Sequence, residues 1–192
     1  MPSRYLERQH PVDEYSQDCV NQVLASVAPE GSWKIVFPDH HSSVNMPLQA
    51  LGQLAGWHHP SPLGIGINHQ HGLWFAYRSV VAVNFEILQS PDDSANHKAM
   101  QSQLDLSPCL ECVDQPCLVA CPGGALNIAA APDMNACVSH RLTQDSVCAS
   151  ACVARNACPV ASDWRYSDEQ IAYFYDRSLS SVKQWIAIQE QR

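Results

Sequence analysis

Lysine is nearly missing from this chain. Three occur in 192 residues, and acidic residues outnumber lysine plus arginine by 19 to 11, for a formal charge of −8. Such a surface repels phosphate backbones, so nucleic acid is excluded as an expected partner. Charge of either sign is sparse at 16%, while apolar residues reach 46%, a balance that excludes a disordered polyampholyte. Also absent is any apolar run near the roughly 20 residues that span a bilayer. Met1-Pro2-Ser3-Arg4-Tyr5-Leu6-Glu7-Arg8 lacks the apolar stretch of a secretory leader, so the expectation is a cytoplasmic chain without membrane insertion. No Gly-x-Ser-x-Gly elbow, Walker loop or zinc-protease motif occurs, and Gly64-Ile65-Gly66 lacks the third glycine of a dinucleotide fingerprint.

Cysteine is what the chain has. Of nine, only Cys19 lies in the first half; its place on a helix face predicts a small core residue. Cys109, Cys112, Cys117 and Cys121 form C-x2-C-x4-C-x3-C-P with Pro122. Cys137, Cys148, Cys152 and Cys158 form C-x10-C-x3-C-x5-C-P with Pro159. In a reducing compartment, thiols this close are metal ligands or redox groups rather than disulfides. Iron in clusters takes tetrahedral thiolate, and short loops deliver neighbouring thiolates without strain. Gly123 and Gly124, lacking Cβ, permit a close backbone approach or positive φ. Zinc takes four thiolates too, though its sites usually pair two short Cys motifs across a longer spacer, without a following proline.

Around the cysteines the pattern is α+β. Apolar residues at Tyr15, Cys19, Val20, Val23, Leu24 and Val27 predict a helix over 13–28, ended by Pro29 and Gly31. Residues 33–37 alternate as a strand, and 47–57 reads as a helix. Residues 63–67 and 73–88 are expected strands, joined by a turn over 68–72. Gln89 to Ser94 reads as a loop. Ser167-Asp168-Glu169-Gln170 has the form of a capping box, with terminal helices to follow. The expected organisation is thus a sheet-and-helix domain over 1–90, a linker over 91–107, a metal module over 108–162 and C-terminal helices over 163–192.

The two cysteine groups together resemble a bacterial two-cluster [4Fe-4S] ferredoxin. In that family the fourth cysteine of each group ligates the other cluster. The resemblance implies one cluster on Cys109, Cys112, Cys117 and Cys158, and a second on Cys121, Cys137, Cys148 and Cys152. The second group departs from the family's C-x2-C-x2-C-x3-C-P by longer spacings. A wider resemblance covers more of the chain. Cys137-Val138-Ser139-His140-Arg141-Leu142-Thr143 is similar to the Cys-Ile-Ser-Tyr-x-Thr stretch of epoxyqueuosine reductases. The segment from Gly64 to Trp74 is loosely similar to the same family's stretch ending in Gly-Ser-Trp. The flavin-reductase-like domain there is shared with cobalamin-processing proteins and reductive dehalogenases. That resemblance implies a flavin or a corrinoid on an α+β domain fed by the clusters. It does not extend to transfer RNA, because the helical repeats that bind it are absent. About 108 residues before the module are also few to enclose a whole corrinoid.

Nine histidines invite other metal sites, but His40-His41, His58-His59 and His69-x-His71 have no carboxylate or cysteine at ligand spacing and read as solvated loop residues. The Pro- and Gly-rich stretch Trp57-His58-His59 to Gly64 and Gly66 is the candidate contact for a flat cofactor such as flavin; its other reading is a helix-to-strand connection. Trp74, Phe75, Tyr77 and Arg78 are expected in the core rather than in a cofactor pocket. Three functions remain: one-electron transfer to a redox protein partner, an iron–sulfur reductase using flavin or corrinoid, and a zinc-stabilised interaction module.

Overall fold

The computed structural model describes residues 2–5, 7–40, 45–86 and 106–190, and mixes helices with two small sheets. Contacts divide the chain into two units, Met1–Ala50 with Ala76–His97 and Leu51–Phe75 with Lys98–Arg192. The expected division of 1–90 from the cysteine module is therefore drawn differently. Residues 51–75 belong with the cysteines, because their apolar side chains are buried there. Most of the expected linker, 91–105, lies outside the described residues.

The first unit holds helix α1 (Pro11–Val27) and strands β1 (Trp33–Phe37) and β4 (Val80–Val83), named in chain order with the elements below. Pro11 opens α1, where a missing N–H costs nothing. Tyr5, 1% exposed, donates to Asp18 Oδ2 at 2.6 Å and meets Tyr15 edge-on, so a polar tip and an aromatic body hold α1 together. β1 and β4 are antiparallel, Trp33 opposite Val83 and Phe37 opposite Val80, with an irregularity between Ile35 and Phe37. The expected apolar stripe of α1 is only partly covered. Cys19, Val23 and Val27 are exposed, which corrects the core placement of Cys19. Among the described residues, α1 is held through Tyr5, through the bond from Gln17 to the Pro38 carbonyl, and through the Arg8–Glu14 and His40–Asp13 pairs, all on its N-terminal half.

The second unit carries α2 (Leu48–Leu54, which enters it from the boundary), the hairpin β2 (His59–Pro60) and β3 (Gly66–Ile67), and four helices around the cysteines. These are α3 (Pro108–Glu111), α4 (Pro116–Val119), α5 (Met134–Leu142) and α6 (Val153–Asn156). A single helix, α7 (Asp168–Glu190), replaces the expected pair. Neither Pro nor Gly interrupts it, and its start is the expected capping box: Ser167 Oγ accepts from Gln170 N–H while Gln170 Oε1 accepts from Ser167 N–H. No described helix is long and apolar enough to cross a membrane. Among described residues 106–190 there is no strand.

Both strand expectations were too long. Residues 63–65 form a turn instead, closed by Ser61, whose Oγ donates to the Ile65 carbonyl and whose carbonyl accepts from Gly64 N–H. Of 73–88 only Val80–Val83 is strand, and residues 87 and 88 lie outside the described set. Leu73 and Trp74 are instead buried, 1% and 3% exposed, without a ladder partner.

Ile67 and Leu73 pack with Cys158, flanked by Leu63, Ile65, Cys109 and Val160, so this unit's core contains cysteine. Gly72 is the tightest joint. Its φ is +57°, and a Cβ there would lie 2.2 Å from the Val160 carbonyl oxygen, beside the Cys158-Pro159 turn. Gly72→Ala should therefore cost at least about 2 kcal/mol in chemical denaturation and displace the Cys158 segment. An unchanged midpoint would show that this backbone approach does not constrain the unit.

Candidate metal centres

The eight clustered cysteines line two cavities, four to each. Cys109, Cys112, Cys117 and Cys158 surround the first, closed by apolar Pro62, Ile67 and Pro159. Cys121, Cys137, Cys148 and Cys152 surround the second, which has a volume of about 240 Å3, against about 20 Å3 for the first. The division therefore crosses the sequence order. Cys121 leaves its own run for the second set, and Cys158 leaves its run for the first.

Local structure explains how. Ser107 caps α3 and accepts from Cys109 N–H at 3.3 Å; Ser146 accepts from Cys148 N–H at 3.2 Å in the same way. Asp133 caps α5 through Asn135 and Ala136 N–H, and so places Cys137 one turn in. The short helices α4 and α6 pack against each other. Each leads from a cysteine of one set (Cys117, Cys152) to a Cys-Pro (Cys121, Cys158) that serves the other, the four residues of each helix rising about 6 Å. After Cys121, Gly124 takes φ +59°, and Gly123 passes so close to α5 that a Cβ would sit 3.0 Å from that of His140.

Electrostatics follow the same partition. Burial pushes the Cys109, Cys117 and Cys158 thiols up, reinforced by neighbours of their own set alone: Cys158, Cys117 and Cys112 act on Cys109. Burial likewise raises Cys137 and Cys148, with Cys152 and Cys121 adding to each. Backbone N–H groups oppose the rise, Val160 at Cys158 and Val153 at Cys148. Arg155 N–H donates to Cys152 Sγ at 3.4 Å.

The spacing of the sulfurs tests which metal fits. One zinc ion about 2.3 Å from each thiolate holds its sulfurs about 3.8 Å apart. Among the described residues, no three cysteine sulfurs lie within 4.8 Å of one another. Neither set draws three sulfurs as close together as a single zinc would hold them. The second cavity also contains buried nitrogens without partners, His140 Nε2 and Arg155 Nε, on a wall shared with the thiols. Arg155 Nε–H is a donor awaiting an acceptor such as sulfide, and His140 Nε2 is one in the tautomer that carries its proton there. The first cavity is narrow.

Two residues at this centre carried no expectation of a role there, although Tyr175 was expected in an apolar stripe with Ile171 and Phe174. Arg141, on α5 one turn after Cys137, donates to the carbonyls of Cys148 and Tyr175 and to Ser178 Oγ. It thereby ties α7 to the second set. Tyr175 lies against Cys152 and Arg155, and burial pushes its hydroxyl up to about 12. Their spacing to the cysteines was visible, but a lone Arg or Tyr on a helix carries no metal signature.

The five candidate cofactor residues, Trp57, His58, His59, Gly64 and Gly66, do not line either cavity; their neighbours do, Pro62 and Ile67 at the first and Leu63 and Ile65 at the second. His58 is buried against Gly66, which corrects its reading as solvated, and burial lowers its pKa. Trp57 is half exposed, and His59 pairs with Ile67 in the hairpin. His40 also departs from the solvated reading: its Nε2 is 3.3 Å from Asp13 Oδ2 and its ring stacks on His10. His41 lies outside the described residues. His69 reaches the Leu106 carbonyl, and His71 meets Trp164 edge-on.

No protein-family model matches the chain, and no curated protein and no solved structure matches it.

Two measurements test this centre. Five thiols raised above the ordinary value of 9.0 bind their protons more tightly in the folded than in the unfolded chain. Stability is then fully present below pH 9.0 and lost as pH rises past it. Thermal denaturation of metal-free protein from about pH 7 to about pH 10 should show a falling Tm. Metal-loaded protein, whose ligand thiols are already thiolates, should lack that fall. Arg141→Met should cost about 2–3 kcal/mol by stranding several carbonyls, with faster amide exchange in 175–178. Normal exchange there would show that α7 is held by other contacts.

Proposed function

We propose that this chain is an electron-transfer protein holding two [4Fe-4S] clusters, ferredoxin-like in its ligation. One set would be Cys109, Cys112, Cys117 and Cys158, and the other Cys121, Cys137, Cys148 and Cys152. The observation that carries the reading is the sorting of eight thiols into two cavities of four, with no three sulfurs as close together as one zinc would hold them. Clusters of this kind supply reversible one-electron transfer over roughly −700 to +450 mV.

The chain's own part is ligation, burial and hydrogen bonding. Prolines and Ile67 line the first set, while backbone N–H groups of Val153, Arg155 and Val160 face thiolate sulfurs. The charge of −8 favours a redox partner with a basic face, met through encounters that weaken with salt. Zinc stabilisation is disfavoured by the same sulfur spacing.

Anaerobic reconstitution followed by chemical analysis should find about eight iron and eight sulfide per chain. Electron paramagnetic resonance then tests the crossing: Cys121→Ser should alter the signal that Cys137→Ser removes, and leave the signal that Cys109→Ser removes. Iron near four, or stoichiometric zinc in its place, would reject the two-cluster reading. A Cys121→Ser change confined to the Cys109 signal would reject the crossing.

A further inference from the structure

We propose that Arg155 raises the reduction potential of the Cys121, Cys137, Cys148 and Cys152 site above that of the other, so that electrons run from the first site to the second. The inference rests on the two-cluster reading and gives it a direction. One electron moves; the first site is oxidised and the second reduced, with no bond broken and no proton transferred. The electron enters from an external one-electron reductant.

Three observations converge on Arg155. It lines the second cavity, between Cys152 and Cys158 in sequence, and its Nε is buried without an acceptor. A buried N–H left unpaired costs stability unless an acceptor arrives, and sulfide or thiolate in that cavity is the acceptor of matching chemistry. The rest of the guanidinium is already committed: one nitrogen donates to the Leu73 carbonyl, its face lies 4.4 Å from the Trp74 ring, and it engages Tyr175. The side chain is therefore held in place rather than free to swing into solvent.

The charge around the two cavities is unequal. Among the described residues neither Arg155 nor Arg141 has a carboxylate partner, and both line the second cavity. No charged side chain lines the first; Arg165 acts there at longer range, on Cys158. Reduction adds a negative charge, which fixed guanidinium charges and N–H donors stabilise. Backbone N–H donors serve both sites, at Cys117 and Cys158 in the first and at Cys148 and Cys152 in the second, so the guanidinium charges make the difference and the second is the better electron acceptor.

The test is a redox titration of reconstituted full-length protein, followed by electron paramagnetic resonance after iron analysis. The second-site signal is the one that Cys137→Ser removes. In the wild type that signal should appear at the higher potential. Arg155→Met should raise its oxidised-to-reduced ratio at the wild-type midpoint about tenfold, or about 59 mV for one electron, and leave the first midpoint in place. Arg155→Lys keeps the charge, lacks Nε–H and should shift the same midpoint by less. If Arg155→Met does not load iron, Arg155→Lys decides by whether it moves the second midpoint alone. A second site at the lower potential in the wild type overturns the inference. So do loaded variants with unmoved midpoints, or equal shifts at both sites. Wild-type iron near four or below overturns the two-cluster reading itself, and this inference with it.

Discussion

Helices α4 and α6 are one turn each, and the rest of the cysteine region depends on their contact. Neither is long enough to be stable alone. Packed together, they carry Cys117 and Cys121 past Cys152 and Cys158, and each Cys-Pro is delivered to the other helix's set of thiols. A local arrangement, in which each run of cysteines wraps its own metal, would leave the two runs free to part. The crossed arrangement couples them, since each cavity needs a cysteine from both. Metal binding would then stabilise the whole unit, because the unfolded chain offers no preformed site.

Around that contact the unit is assembled from small pieces that have few apolar residues of their own. Its buried apolar core includes Cys158 and is flanked by Cys109, with Ile67 and Leu73 supplied by the hairpin segment. Thiols serve as small hydrophobes while protonated, which fits the upward push of burial on five of them. Arg141 supplies the long-range tie. Its fork satisfies carbonyls on the cysteine loop and on α7 at once, a use of arginine's planar donors that lysine could not copy. A chain with three lysines and eight arginines places arginine where geometry matters.

Histidine illustrates how context overrides composition. Nine residues suggested solvated loops or metal pairs, and His58 and His71 took neither role. His58 fills the space over Gly66 and His71 meets Trp164, while His40 gathers with His10 and Asp13. Adjacent histidines in sequence point in different directions in a turn or strand, so neighbours in the chain rarely become neighbours in a site.

Some of this protein was legible from sequence because the signals are local. Cysteine spacing, the Ser167 to Gln170 box, the 33–37 strand and the helix after Pro11 depend on residues a few positions apart, where steric and hydrogen-bonding rules operate directly. The crossed pairing was suggested by resemblance alone, and its geometry was not derivable from spacing. Strand lengths were misjudged because Ser61 closes a turn where β-branched residues invited a strand, and the burial of Leu73 and Trp74 comes from packing rather than pairing. Cys19 was misplaced because a helix's apolar face is a property of one element, whereas its burial depends on what covers it. Composition and local pattern thus determined how the thiols group along the chain and roughly where the first and last helices lie. Which thiols share a cavity, which arginines stand beside them and which loop walls them in were decided only by tertiary contacts, because those contacts join residues as far apart as Leu73 and Arg155, 82 positions, and further.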